Sequence, residues 1–235
     1  MSLYWLGNDS GIDFPPVESA LKEPDGLLAA GGDLGEARLL AAYQRGIFPW
    51  YSHGQPILWW SPDPRMVLFP EDFHASRSLR RAERRYAPVV TVNRCFQQVV
   101  DQCAAPRDDD HGTWITPEMS AAYVSLHRRG WAHSIEVWVG DALIGGVYGV
   151  AIGKAFFGES MFSSQANGSK FALKALCQQL VIDGFQVLDC QMHTSHLQTL
   201  GARLITRAAF TSILDTACKP LKTWIPPTHI IGEKR

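Results

Sequence analysis

The run from residue 134 to 158 constrains the fold most. Residues 134–139 alternate apolar and polar, and Gly140-Asp141 supplies a turn. Residues 143–150 follow, Gly153 offers a second turn, and residues 155–158 complete a third strand. Strict alternation with glycine turns predicts an antiparallel meander. A helix over 169–183, stopped by Gly184, then leads to a strand over 187–191. Helices are expected over 196–200 and 208–218, the second with Phe210, Ile213, Leu214 and Ala217 at core spacing. Strands in a run, then a helix, then another strand give an α+β fold.

Upstream, a strand is expected over 66–69, a helix over 74–85, a strand over 89–92 and a helix over 94–103. A polar loop over 104–112 precedes a helix over 117–129, with Thr116 as N-cap and Pro117 in its first turn. Residues 1–65 are rich in proline and glycine and read as loops around one helix. That helix takes Asp33 as N-cap, with Glu36 three residues on. Leu39, Leu40 and Tyr43 form its stripe, and Gly46 ends it. The expected division is a small loop-rich domain over 1–62 and a larger one over 63–235.

The formal net charge of −1 excludes a global field that would gather a polyanion, so any nucleic acid must meet a local patch. Five cysteines without C-x-x-C spacing disfavour a disulfide framework and a zinc ribbon. No secretory leader and no membrane span are expected, since no window holds about 18 uninterrupted apolar residues. The expectation is a cytoplasmic protein.

Several residues stand out against this background. In the strand VLDCQ, alternation puts Val187, Asp189 and Gln191 on one face and Leu188 and Cys190 on the other. A buried carboxylate needs a partner. Asp189 is therefore either an ordinary carboxylate, in a cap or an Asp–Arg pair, or a functional group. Glu159, in FFGESMFS, either meets water at a strand end or receives a cation. In SRSLRRAERR, helical spacing gathers Arg77, Arg80, Arg81, Arg84 and Arg85 into one stripe. Such a stripe is either a solvated face or a phosphate-binding surface. His193 and His196 are three apart with no third ligand nearby, so no metal is expected. Trp50 and Trp114 lie in loop-like stretches suited to stacking on a base, whereas Trp59 and Trp60 read as packing residues.

LLAAGGDL, YQRGIFPWYS, ILWWSPDPR, GTWIT, HSIEVW, GGVYGV, FFGESMFS, NGSK and LDCQ occur together and in this order. From about residue 14 to 226 the chain resembles the leucyl/phenylalanyl-tRNA–protein transferases of the bacterial N-end rule pathway. The resemblance implies transfer of leucine or phenylalanine, with methionine a further candidate, from aminoacyl-tRNA to the N-terminal Arg or Lys of a protein. The product is thereby marked for degradation. It implies a GNAT-like larger domain with a mixed, mainly antiparallel sheet and flanking helices, beside a small N-terminal domain. It assigns catalysis to Asp189 and Gln191, acceptor binding to Glu159 and adenosine binding to Trp50 and Trp114. It assigns the aminoacyl pocket to Val147, Phe156, Leu173, Leu176 and Leu188. The arginine stripe would then bind tRNA. No cofactor, no metal, no membrane and a monomer are expected. Two other readings compete: an acetyl-CoA-dependent enzyme, whose phosphate turn SSQANGSK only partly matches, and a non-catalytic binder of basic N-termini.

Overall fold

The computed structural model describes residues 3–7, 12–105 and 115–229. The N-terminal region is a correction to the sequence reading, because it carries a sheet and not only loops. β1 (Tyr4–Leu6), β2 (Leu27–Gly31), β3 (Phe48–Pro49) and β4 (Leu58–Trp60) form a four-stranded sheet in the order β1-β2-β4-β3. β2 escaped notice because Leu27 to Ala30 are all buried, which gives a continuous apolar run without alternation. Pro49 sits on the edge strand, where a missing N–H costs no ladder bond. Trp59 is fully buried, and its indole N–H donates to the Gly31 carbonyl at 2.9 Å. α1 (Glu36–Gln44) starts at Gly35, not Asp33. The Asp33 carboxylate instead accepts from the Gly35 N–H at 2.7 Å and from Arg38 Nε at 3.2 Å.

β5 (Arg65–Leu68), α2 (Arg77–Tyr86), β6 (Val89–Val92), α3 (Phe96–Ala104) and α4 (Pro117–Arg128) follow. Thr116 caps α4 as expected, accepting from the Met119 N–H at 3.2 Å. The meander is β7 (Ala132–Val139), β8 (Ala142–Ile152) and β9 (Ala155–Ser163), the last five residues longer than expected. α5 (Gly168–Ile182) crosses over to β10 (Val187–Gln191), and α6 (Ser195–Thr199), β11 (Arg203–Ile205) and α7 (Arg207–Ala217) complete the described chain.

Seven strands form one sheet in the order β11-β5-β10-β9-β8-β7-β6. β9 and β10 pair in parallel and every other neighbour is antiparallel, giving a mixed α+β fold. The start of α5 presses against β8, and side chains at that contact would collide. A Cβ on Gly145 would lie 2.3 Å from the Gly168 carbonyl carbon. The two glycines thus fix where α5 sits over the sheet.

Apolar side chains pack on both faces. Val147, Phe156, Leu173, Leu176 and Leu188 share the cluster beneath α5. The opposite cluster joins Tyr43 and Trp59 of the N-terminal region to Tyr123, Phe157 and Phe210. α1 therefore reaches the large sheet directly, and this contact builds one wall of the site.

Candidate active site

The parallel pairing of β9 and β10 ends at Phe157 and Asp189, although both strands continue. Beyond that point the strands part, and a cavity of about 780 Å³ opens between them. Its lining includes Val147, Leu173, Leu176 and Leu188, which belong to one apolar cluster, as well as Glu159, Asp189 and Gln191. Parting strands admit side chains from both faces of the sheet to one space. Leu188 and Asp189 thus meet the same cavity although alternation points them apart.

Two bulges aim the polar groups. Tyr148 pairs with Ser160 and Gly149 with Gly158, so Glu159 is an extra residue on β9. An extra residue bends its strand and re-aims its side chain. On β10, Asp189 pairs with Val67 and Gln191 with Met66, which makes Cys190 the extra residue. Directly paired residues share a sheet face, and Val67 and Met66 pack in opposite clusters. The expectation that Asp189 and Gln191 share a face is therefore corrected. The bulge separates them, and Gln191 takes a left-handed φ of 54° to reach the cavity.

Asp189 is fully buried and held from two sides. Arg65, 1% exposed, donates from Nε to Oδ1 at 2.8 Å and from Nη2 to Oδ2 at 2.7 Å. The Gln191 N–H adds a third bond, to Oδ1 at 3.0 Å. The guanidinium lies against the rings of Phe48 and Phe210, 4.7 and 4.8 Å from their centroids, and donates to the Gly46 carbonyl. Such a planar fork matches a carboxylate bidentately.

Glu159 is handled differently. It is only partly enclosed, opens on the cavity, and takes its bonds from neutral donors. Tyr43 donates to Oε1 at 2.7 Å and Tyr123 to Oε2 at 2.6 Å, and the two hydroxyls are 2.8 Å apart. The Glu159 carboxyl is pushed up to about 7: burial raises it most, the hydroxyls of Tyr123 and Tyr43 pull it down, the Asp189 charge raises it and Arg65 lowers it. Burial, followed by the Glu159 charge, raises both tyrosines well above their ordinary value.

The other sequence candidates fall in several places. Phe156 is 1% exposed and packs in the same apolar cluster, edge-on to Trp224 at 6.0 Å, without lining the cavity. Trp50 is 39% exposed and sits edge-on to Trp60 at 5.6 Å, away from the cavity lining. Trp114 lies outside the described residues. Arg77, Arg80, Arg81, Arg84 and Arg85 are all exposed on α2. The acidic residue within that run, Glu83, turns to Lys174 at 2.6 Å and leaves the arginines without a salt bridge among the described residues. His193 bonds Gln198, His196 reaches the cavity, and no metal-binding cluster occurs among the described residues.

Sequence reasoning missed Arg65, Tyr43 and Tyr123 as site residues. For Arg65 a signal existed: a carboxylate on an apolar strand demands a cation, and SPDPR ends in one. Tyr43 read as a core stripe residue, and nothing in its spacing distinguished its hydroxyl.

Family models decide what kind of enzyme carries this cavity. The model described as leucyl/phenylalanyl-tRNA protein transferase matches residues 67–215, and that for the N-terminal domain of the same transferase matches 32–63. The chain belongs to this family. It is therefore an aminoacyltransferase. The leucyl/phenylalanyl-tRNA–protein transferase of Pseudomonas syringae pv. syringae is 56% identical over 213 residues, 91% of this chain and 93% of that protein. The protein of the same name from Nitrosomonas eutropha is 56% identical over 205 residues, 87% of this chain and 88% of its own. Among solved structures, a conserved protein of unknown function from Bacteroides thetaiotaomicron aligns with a TM-score of 0.43 and 12% identity, covering 58% of this chain and 53% of that one. No helix among the described residues of this family member is long and apolar enough to cross a membrane.

Proposed function

We propose that the cavity between β9 and β10 joins leucine or phenylalanine, with methionine a further candidate, to the N-terminal Arg or Lys of an acceptor protein. The aminoacyl group arrives as its tRNA ester. One observation carries this reading: a single cavity is lined both by the clustered apolar side chains of Val147, Leu173, Leu176 and Leu188 and by Glu159, Asp189 and Gln191. The apolar lining suits an unbranched-at-Cβ aliphatic or aromatic side chain, with Phe156 backing it in the same cluster. A charged aminoacyl group would lose its hydration there without gaining a partner.

The ester is already activated, so no cofactor or metal is required. The α-nitrogen forms a bond to the carbonyl carbon, the bond to the tRNA 3′-oxygen breaks, and that oxygen takes a proton. The α-amine has an ordinary pKa of about 7.7–8.0, so it reacts after losing a proton. Asp189 has both oxygens occupied by Arg65 and no solvent exposure. These facts support a role in orienting Gln191 and the amine over a role as proton acceptor. Holding amine and ester together then supplies much of the acceleration. Glu159, open to the cavity, pairs with the acceptor's cationic side chain.

The five exposed arginines of α2 hold tRNA phosphates without reading sequence, while Trp50 and Trp114 stack on the terminal adenosine. The parting of β9 from β10, with α5 crossing between them, supports a GNAT-like larger domain from about residue 63, with residues 1–62 as the smaller domain. The enzyme works in the cytoplasm as a monomer and marks its products for N-end rule degradation.

The test supplies purified protein with radiolabelled Leu-tRNA or acetyl-CoA and a peptide beginning with Arg. Label is expected on the peptide from Leu-tRNA alone. Transfer from acetyl-CoA, or peptide binding without transfer, would replace this reading.

A further inference from the structure

We infer that Tyr43 and Tyr123 are positioning residues for acceptor recognition, their two hydroxyls holding Glu159 as the carboxylate that meets a cationic side chain. This rests on the acceptor role proposed above for Glu159.

The geometry is a closed triangle. Tyr43 and Tyr123 each contact one carboxylate oxygen, and their hydroxyls contact each other at 2.8 Å. Three contacts are present, but two tyrosines bring only two protons. With Glu159 protonated, a third proton completes the ring of three bonds. With Glu159 ionised, both hydroxyls turn to the carboxylate, and bonds to an ionised acceptor are the stronger ones. Each hydroxyl therefore favours the charged form that a guanidinium or ammonium group requires. Tyr43 comes from α1, which gives the N-terminal region a direct part in the reaction centre.

The remaining groups facing Glu159 act in known directions. Asp189 on β10 opposes its ionisation and Arg65 on β5 favours it. Tyr148 on β8 is fully buried beside this cluster, and its hydroxyl has no hydrogen-bond partner among the described residues. Cys103 on α3 interacts with Tyr148 and does not act on Glu159 directly. Tyr148 is thus an internal control, equal in chemistry but without a bond to the carboxylate.

The probe is butylguanidine, whose charge is constant between about pH 5.5 and 9, used as a competitor of an Arg-peptide in the transfer assay. Its inhibition constant isolates Glu159 from the titrating α-amine. With the wild type, inhibition should weaken by about tenfold per unit below about pH 7. In Tyr43→Phe and Tyr123→Phe the same curve should move to higher pH. Inhibition would then be at least about threefold weaker near pH 6.5 and would converge on the wild type by about pH 9. Tyr148→Phe should superimpose on the wild type. Weakening by an equal factor at every pH, or unshifted curves, would overturn the inference. Transfer without competition by butylguanidine would remove the acceptor role of Glu159 and this inference with it. Absence of tRNA-dependent transfer would instead strike at the proposed reaction.

Discussion

The β10 and β9 walls of the cavity each present a carboxylate, and they solve its burial in opposite ways. On β10, Asp189 is sealed from solvent and matched by the full charge of Arg65. On β9, Glu159 stays open to the cavity and receives two neutral hydroxyls. A charge partner fixes a carboxylate as an anion and occupies it. Neutral donors leave it near balance between charged and uncharged forms and free to accept a further partner. The occupied group is suited to shaping the site, and the balanced one to receiving a substrate.

The largest difference between the walls should appear in stability. Arg65→Met strips the counter-charge from a fully buried carboxylate, and breaking such a pair costs about 3–5 kcal/mol. Tyr43→Phe removes one hydroxyl bond from a group that the cavity can still hydrate, a loss of about 1 kcal/mol. Urea unfolding of the two variants reads the contrast directly. Equal losses would mean that Arg65 and Tyr43 do the same job.

Turnover should separate the walls next. Asp189→Ala frees β10 from its anchor at the bulge, and misplacing reacting groups by about 1 Å costs on the order of 10²-fold in rate. If Asp189 orients the amine, single-turnover transfer should fall by that factor at every pH. A loss confined to the alkaline or acid side would return the carboxylate to proton exchange.

How much of this was legible in the sequence differs between the walls as well. The meander, the helix over 169–183 and the Thr116 cap followed from alternation, helical spacing and local hydrogen-bonding chemistry. Asp189 and Glu159 were visible because a carboxylate in an apolar strand is costly and demands a reason. Their partners were not visible, because Arg65 lies 124 residues from Asp189 and Tyr43 lies 116 from Glu159. The bulges at Glu159 and Cys190 also left no mark. A one-residue insertion flips every later side chain to the other face, so alternation misplaced Gln191 relative to Asp189. The N-terminal sheet was missed for a different reason. Its central strand is buried on both faces, and proline-rich flanks drew the reading toward loops.

The most gradual expected effect is the dependence of stability on pH, and its sign is specific to the β9 wall. Glu159 titrates near 7 in the folded protein, against 4.5 for an ordinary glutamate. Between these values the unfolded chain has already released the proton that the folded protein still holds. Stability then falls as pH rises from about 4.5 to 7, by at most about 1.4 kcal/mol per pH unit, and levels off above. A carboxylate stabilised by a cation would give the reverse slope, with stability lost on acidification. Urea midpoints collected across this range for the wild type and for Glu159→Gln isolate the effect, since the amide does not titrate. The variant should lack the decline between pH 4.5 and 7 while keeping whatever slope the rest of the chain contributes. If the two curves run parallel, Glu159 ionises as easily in the fold as in water, and the hydroxyls of Tyr43 and Tyr123 compensate its burial in full.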